Sequence, residues 1–368
     1  MTFFTPETGW LAFREQVRRT PADLERLSIA TAEARAGGRI SVVDKTRLPP
    51  SGDPHDYMSQ APYWWPDPAK ADGLPYVQRD GEVNPEFYGT DRDRLETFRE
   101  RVGCLILHAH VTGDDSSARA AGRFLRGWFL DADTRMNPHL RFAQGIPGRC
   151  DGRGIGIIDT TFFCFLIDEI GRLGFNAEWT PADLAGVKGW FSAYLDWLLE
   201  SKAGGDEAKE HNNHGTWYDA QVVTFALFCG REDVARRVLL TTARERLAVQ
   251  IAVDGSQPHE LKRTLSLSYC TFNLIGFAVL AQAGRALGIE PGAGFKNAVV
   301  WMLPYFRGEK AWGWKQIKPF QRATAVYLLA RAGEATDDET LAAEARSLAA
   351  HAWEPVSFWG ASVRGRKD

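Results

Sequence analysis

The chain has 368 residues, of which 44% are hydrophobic and 25% charged, and this predicts a soluble protein with a sizeable core. Its 44 basic and 47 acidic residues give a net charge of −3, which lacks the basic excess of nucleic-acid-binding proteins. Its five cysteines share no CxxC spacing, so neither a disulfide framework nor a zinc site is expected.

The first residues, MTFFTPETGWLAF, lack the basic and long apolar regions of a signal peptide. No stretch reaches the roughly 18 apolar residues of a membrane-spanning helix, so no membrane partner is expected. The sequence start leaves open a cytoplasmic protein or one whose leader has been removed.

Helical patterns dominate the chain. They are joined in pairs by short turns containing Gly, Asp or Pro, and no strict repeat is present. This organisation predicts an all-α fold of helical hairpins, either a solenoid or an α/α toroid, in a single domain over residues 1–368. The predicted helical segments, in chain order, are TPADLERLSIATAEARAGG, DRDRLETFRERVGCLILHAHVTG, DDSSARAAGRFLRGWFLD, IDTTFFCFLIDEIGRLG, TPADLAGVKGWFSAYLDWLLES, GTWYDAQVVTFALFCG, REDVARRVLLTTARERLAVQI, LSLSYCTFNLIGFAVLAQAGRALG, PFQRATAVYLLARAGEA and DDETLAAEARSLAAHA.

Two long stretches, residues 44–85 and 134–156, interrupt the helical pattern. Long irregular loops in compact domains are usually functional or disordered. The first contains YMSQAPYWWPDP, which is too aromatic to remain in water, so we expect it to fold over a groove. The 13 tryptophans of the chain are consistent with stacking on sugar rings and equally with a large core.

The segment HNNHGTWYDAQ begins one of the predicted helices. Asn212 and Asn213, followed by Gly215, could turn the chain and cap that helix. Alternatively, Asn213 offers an amide donor and His214 an imidazole suited to proton transfer near neutral pH.

A second polar segment, GSQPHELKRTLSLSYCTFNL, contains His259, Arg263 and Tyr269. Six helical residues correspond to about 600° of rotation, so Arg263 and Tyr269 would not align on one helix. They could reach one site if Arg263 precedes the helix. Otherwise Arg263 is a solvated end residue and Tyr269 a core aromatic.

Together these segments resemble the α/α-toroid alginate lyases and their glucuronan-cleaving relatives. The likeness spans at least residues 51–274. It is carried by the Asn-His pair, ELKRTLSLSY, SGDPHDYMSQAPYWWPDP and QGIPGRCDGRGIGIIDT. The YWWPDP loop resembles the mannuronan and glucuronan lyases of this family more closely than the older alginate lyases, whose loop differs. The resemblance implies an all-α, incomplete α/α toroid with long loops over a substrate groove.

The resemblance also implies a lyase acting on β-1,4-linked uronate polymers. Asn213 and Arg263 would stabilise the charge that builds on the substrate carboxylate. Tyr269 would serve as base and acid for β-configured uronates. For guluronate, His214 would be the base and Tyr269 the acid, and otherwise His214 would help neutralise the carboxylate. No cofactor or metal is required.

Further residues are candidates for contact with an anionic polysaccharide. For the aromatic ones, packing of the loop is an equal alternative, and for the arginines a solvated surface position. Six of these candidates are His55, Tyr63, Trp64, Trp65, Gln144 and Arg149. The other three are Arg153, Asn212 and His259.

Two other functions fit parts of the sequence. An α/α-barrel glycoside hydrolase would need paired acids, and Asp159, Asp219 and Glu260 are available without forming a recognisable pair. A non-catalytic glycan-binding protein would need only the aromatic loop. Because uronate polymers are met outside the cytoplasm, we expect a periplasmic or secreted protein, with a cytoplasmic one as the alternative; the oligomeric state is undetermined.

Overall fold

The computed structural model describes residues 11, 14, 15, 17–290 and 292–349. Helices dominate these residues, and their strands are confined to two short pairs, as the sequence predicts. The chain divides into two compact units, Met1–Glu207 and Ala208–Asp368. The single domain over 1–368 stays a prediction.

Side chains cap the starts of α2 (Asp91–Thr112), α3 (Asp115–Phe129) and α5 (Pro181–Glu200) in the first unit, whereas Thr20 makes no such bond before α1 (Pro21–Ala36). Thr90 caps α2, whose end at Gly113 has the left-handed conformation typical of a glycine that ends a helix. Asp114 then caps α3, and Thr180 forms a capping box with Asp183 at the start of α5. The described helices of this unit are α1 (Pro21–Ala36), α2 (Asp91–Thr112), α3 (Asp115–Phe129), α4 (Phe163–Ile170), α5 (Pro181–Glu200) and α6 (Lys202–Glu207).

Aromatic side chains form much of the core of this unit. Phe98 stacks on Trp128 with ring centroids 4.6 Å apart, and Phe129 packs edge-on against Trp190 at 4.8 Å. Burial of each such side chain stabilises the fold by about 1.5–3 kcal/mol. Core packing therefore accounts for part of the aromatic content.

The two irregular stretches of the first unit are ordered. Strand β1 (Met58–Gln60) pairs in parallel with β4 (Phe142–Gly145), which joins the two stretches. Strand β2 (Trp64–Trp65) pairs antiparallel with β3 (Val77–Gln78). Single turns of 3₁₀ helix occur at Val42–Asp44 and Pro85–Phe87, and a longer one at Gly154–Thr160. The last precedes α4, so the helix predicted from Ile158 begins as 3₁₀.

The second unit is built around two helices that are buried along most of their length, α7 and α11. Helix α11 packs against both α7 and α13. The helices are α7 (Asn213–Phe228), α8 (Glu232–Leu240), α9 (Thr242–Gln250), α10 (Pro258–Leu261), α11 (Ser266–Ala286), α12 (Ala293–Phe306), α13 (Arg322–Thr336) and α14 (Glu339–Ala349).

Two features of this unit differ from the sequence prediction. The single helix predicted for residues 231–251 breaks at Thr241, whose hydroxyl donates to the Arg237 carbonyl at 2.7 Å. The Thr241 backbone leaves the helical region at this point, with φ −121° and ψ −89°. Helix α12 was not predicted, and it contains Pro304 near its end.

Of the described residues, only α11 is long and apolar enough to cross a membrane. Within its most apolar 18-residue window, 83% of the residues are buried inside the protein. Burial of this kind is typical of the central helix of a packed core.

Candidate active site

The start of α7 is a tight junction that requires a glycine. The Asn212 side chain accepts a hydrogen bond from the His214 amide at 3.0 Å, so Asn212 caps the helix. A Cβ on Gly215 would lie 2.0 Å from Nη1 of Arg246 and 2.2 Å from the Glu210 carbonyl oxygen. The predicted capping role therefore belongs to Asn212, while Asn213 lies inside the first turn.

Asn213 is held by a buried carboxylate. Its backbone N–H donates to Oε1 of Glu260 at 2.6 Å, and its Nδ2 lies 3.1 and 2.9 Å from the two carboxylate oxygens. Both residues are only 1% exposed. Burial raises the pKa of Glu260, whereas these hydrogen bonds and the charges of Arg263 and His214 act to lower it. The Asn213 amide thus has a fixed orientation.

A buried ion pair anchors the chain just before α7. Arg246 contacts Asp219 at 2.7 Å and also donates to the carbonyls of Ala208 and Glu210. Burial raises the pKa of Asp219, and the charge of Arg246 opposes that effect. The pair fixes the path of the backbone into Asn212 and Asn213.

Buried amide side chains connect α7 to its neighbours. Gln250 accepts from Thr216 at 3.0 Å and donates to the Asn212 carbonyl at 2.9 Å. Asn273 of α11 donates to Gln250 and to Gln257, each at 2.9 Å. Gln250 thus connects the start of α7 to α11, while the side-chain oxygen of Asn273 is buried without a hydrogen-bond partner.

Arg263 and Tyr269 lie close together, because Arg263 precedes the helix that contains Tyr269. Arg263 lies in the connection between α10 and α11, and Tyr269 lies in the first turn of α11. The guanidinium carbon of Arg263 is 3.9 Å from the centroid of the Tyr269 ring, a close cation–π stack. Both side chains are half-buried.

His211, His259 and Trp217 also lie in this region of the second unit. The rings of His211 and His259 are 6.5 Å apart, and the pKa of His259 is lowered by burial and by the charge of Lys262. Trp217 is buried and stacks on Phe272, which is a packing role.

In the first unit, Gln144 belongs to a buried polar cluster around Asp159. Its Nε2 donates to Asp159 at 3.0 Å, and Tyr57 and Ser59 donate to the other carboxylate oxygen. Arg153 donates to the Gln144 side-chain oxygen at 3.1 Å. Gln144 has a φ of 50°, in the left-handed region, and strained backbone of this kind is concentrated at functional sites.

The aromatic loop residues pack within their own unit. The Trp64 ring has the guanidinium carbons of Arg149 and Arg153 at 4.9 and 5.9 Å from its centroid. Trp65 donates to the Glu82 carbonyl and lies under Arg79. These contacts hold the loop in place, and substrate contact by the two tryptophans, Arg149 and Arg153 stays a prediction.

Tyr63 and His55 lie in the same loop. The Tyr63 carbonyl accepts a backbone hydrogen bond from Arg79 at 2.8 Å, and the Tyr63 side chain is half-buried. His55 Nδ1 donates to the Arg135 carbonyl at 2.7 Å. The substrate-binding roles of both residues stay predictions.

Comparison with known proteins identifies the family. The family model described as alginate lyase matches residues 41–312. The chain belongs to the alginate lyase family. An alginate lyase structure from Bacteroides ovatus is similar at 34% identity and a TM-score of 0.87, covering 97% of this chain and 96% of that one. This match confirms the predicted fold class, and the chain is a polysaccharide lyase.

More distant structures share the fold of this lyase. A variant of alginate lyase A1-III complexed with tetrasaccharide matches with a TM-score of 0.57 at 17% identity, covering 90% of this chain and 87% of that one. Alginate lyase A1-III from Sphingomonas species A1 matches with a TM-score of 0.52 at 15% identity, covering 83% and 86%. A search of curated proteins finds no match.

The acids considered for a hydrolase have other partners in this lyase. Asp159 accepts from Tyr57, Ser59 and Gln144, while Asp219 pairs with Arg246 and Glu260 with Asn213. All three are buried. No group of three or more potential metal ligands occurs among the described residues.

Sequence reasoning missed several residues that shape the lyase site. Glu260 was considered only as a hydrolase acid, and the supporting roles of Arg246, Gln250 and Gln257 were not predicted. The hydrogen-bond partners of these four side chains lie between 13 and 47 positions away in the chain. The one local signal was the acidic residue in ELKR, three positions before Arg263.

Proposed function

We propose that this lyase cleaves β-1,4-linked uronate polymers, with mannuronate-containing alginate or glucuronan as substrate. The observation that carries the proposal is the Arg263 guanidinium, 3.9 Å from the centroid of the Tyr269 ring. It sets a permanent cation beside a phenol in the unit that also contains Asn213 and His214. The 34% identical Bacteroides ovatus protein, described as an alginate lyase, supports alginate as the polymer.

The proposed reaction is a β-elimination at C4 and C5 of the uronate residue. The C5–H bond breaks, its electron pair forms the C4=C5 double bond, and the C4–O bond to the next sugar breaks. The base takes the C5 proton, and the leaving oxygen receives a proton from the acid. For β-configured uronates both groups lie on one face of the ring, so Tyr269 can serve as base and then as acid.

The main electrostatic demand is at the substrate carboxylate, where negative charge builds as C5 loses its proton. Arg263 offers a fixed charge and a planar set of donors for that carboxylate. His214, half-buried and next to Asn213 in the chain, would help neutralise the carboxylate, or would be the base if guluronate is the substrate. Preorganised donors of this kind stabilise the transition state most when water is excluded.

Glu260 orients the Asn213 side chain as a hydrogen-bond donor in the proposed reaction. Nδ2 of Asn213 carries two hydrogens and lies within hydrogen-bonding distance of both Glu260 oxygens. A three-centre bond to Glu260 uses one hydrogen and leaves the other for the substrate carboxylate. Glu260 is thus a positioning residue that holds the amide with its nitrogen, and not its oxygen, available as donor.

One substrate panel tests the proposal. Polymannuronate, polyguluronate, mixed alginate and glucuronan are incubated with the protein, and the ultraviolet absorbance of 4,5-unsaturated uronate is followed. We expect a rise with polymannuronate or glucuronan that exceeds the rise with polyguluronate. Reducing sugar without absorbance would indicate hydrolysis instead, and binding with neither product would indicate a glycan-binding protein.

A further inference from the structure

We infer that the segment 312–318 forms an additional sugar-binding platform beside the Arg263–Tyr269 segment, for a uronate residue of the polymer that is not itself cleaved. This inference rests on the proposed function and adds a subsite to it. The family model match ends at residue 312, so the segment lies almost entirely outside it.

The platform rings are Trp312 and Trp314 of this segment, which are incompletely buried and pack on Trp301 and Tyr305 of α12. Trp312 and Trp314 have ring centroids 4.9 Å apart, and Trp301 lies 5.6 Å from Trp314. Tyr305 completes the cluster, 4.9 Å from Trp312. Trp314 is nevertheless 39% exposed. A large aromatic face left in water and supported from behind by other rings suits the apolar face of a sugar.

The charge around the cluster fits an anionic polymer. The stretch 307–322, RGEKAWGWKQIKPFQR, contains five basic residues and one acidic residue, in a chain whose net charge is −3. Arg307 is paired with Glu344, whereas Lys310, Lys315 and Lys318 are exposed on the surface. Uronate polymers carry one carboxylate per sugar, and exposed lysines beside an aromatic face can bind both parts of such a residue.

Hydrogen bonds fix this segment to the start of α11. The Gln316 side chain accepts from the Leu267 amide at 3.0 Å and donates to the Ser268 hydroxyl at 2.9 Å, next to Tyr269. Trp312 Nε1 donates to the Ser266 hydroxyl at 2.8 Å. Gln316 therefore supplies the cap that α11 lacks from its own N-terminal residue.

These bonds set the distance from the platform to the proposed acid and base. Trp314 is two residues from Gln316, a span of at most about 7 Å. A sugar stacked on Trp314 would therefore lie within a few sugar units of Tyr269. The platform would hold the polymer in register with the cleavage site, so its loss should affect long substrates most.

The test uses a hexamer of the polymer, polymannuronate or glucuronan, that the wild-type protein cleaves. Calorimetry measures its binding to the full chain carrying Tyr269→Phe, with and without Trp314→Ala. We expect Trp314→Ala to weaken hexamer binding about five- to tenfold, and Trp314→Phe to restore most of it. Val253→Ala, at a fully exposed apolar side chain of the same unit, is the control and should bind like its parent. Hexamer affinity within twofold of the parent in Trp314→Ala, or no hexamer binding by the parent, would overturn the inference.

A second variant covers the case in which Trp314→Ala does not fold. Lys315→Gln combined with Lys318→Gln should weaken hexamer binding and reduce its dependence on salt, because fewer charges are screened. An unchanged salt dependence would count against the platform. Absorbance of unsaturated product from the wild-type protein is measured separately, so loss of lyase activity and loss of the platform are distinguishable.

Discussion

The guanidinium carbon of Arg263 lies 3.9 Å from the centroid of the Tyr269 ring, although six residues separate them in the chain. The contact is possible because α10 ends at Leu261 and α11 begins at Ser266, so Arg263 lies outside both helices. A fixed cation beside a phenol stabilises negative charge developing on that phenol or on a substrate carboxylate nearby. This contact is the main support for the proposed β-elimination.

Replacing Tyr269 by Phe tests the proposed acid and base. The ring stays over Arg263 while the hydroxyl is lost, so we expect kcat to fall by about 10³-fold or more. Binding of a mannuronate tetramer, measured by calorimetry, should stay within about threefold of wild type. A Tyr269→Phe enzyme with wild-type kcat would exclude Tyr269 as the proton carrier.

Replacing Glu260 by Gln tests the positioning of Asn213. The new amide would face the Asn213 donors with a donor of its own, so the Asn213 side chain should turn. We expect kcat to fall about 10- to 100-fold with a smaller change in KM, because misorientation acts mainly on the transition state. Glu245→Gln, on the exposed face of α9, is the matched control. Equal kcat in both variants would remove the positioning role.

Gly215→Ala tests the tight junction at the start of α7. Its Cβ would lie 2.2 Å from the backbone oxygen of Glu210, which cannot move without shifting the chain before Asn212. We expect a loss of about 1–3 kcal/mol in the free energy of unfolding, together with a fall in kcat. The control Gly189→Ala meets no atom within 4 Å in α5 and should stabilise by about 0.5–1 kcal/mol. Equal unfolding free energies for these two variants would contradict the packing described.

The lowered pKa of Asp114 should make the stability of the first unit depend on pH. Partial burial acts to raise the pKa of Asp114, but hydrogen bonds from Ser117 and Ser116 and the charge of Arg35 lower it to about 2. Because the folded pKa is below the unfolded value of 3.8, the stabilisation is present above pH 3.8. It is lost as pH falls through about 2.

Asp114→Ala should therefore lower the free energy of unfolding by about 1–2 kcal/mol at pH 7, and the difference from wild type should shrink toward pH 2. Denaturant unfolding at several pH values measures it. Asp115→Ala, at the neighbouring and more exposed acid, should change little at either pH. A pH-independent difference for Asp114→Ala would show that its charge is not responsible.

The sequence predicts the helices well because their signals are local. Residues such as Thr90, Gly113 and Thr180 fix a helix end within one turn of the chain, so the predicted segments begin or end close to the observed helices. The break at Thr241 was not predicted, because the backbone leaves the helical region there, with φ −121° and ψ −89°, and no Gly or Pro marks the position.

The contacts of the site are only partly predictable, because most of them join residues that are far apart in the sequence. The proximity of Arg263 and Tyr269 follows from where one helix begins, which the sequence suggests. The contact between Asn213 and Glu260 joins positions 47 apart, and that between Gln316 and Ser268 joins positions 48 apart. Such pairs are set by the packing of helices, so no local pattern indicates them.

The most direct test of the central claim counts two products in one sample. Polymannuronate is digested with the protein, and reducing ends and 4,5-unsaturated uronate groups are quantified over the same time course. β-Elimination predicts one unsaturated group for every new reducing end throughout the digestion. New reducing ends without unsaturated groups would contradict the proposed function.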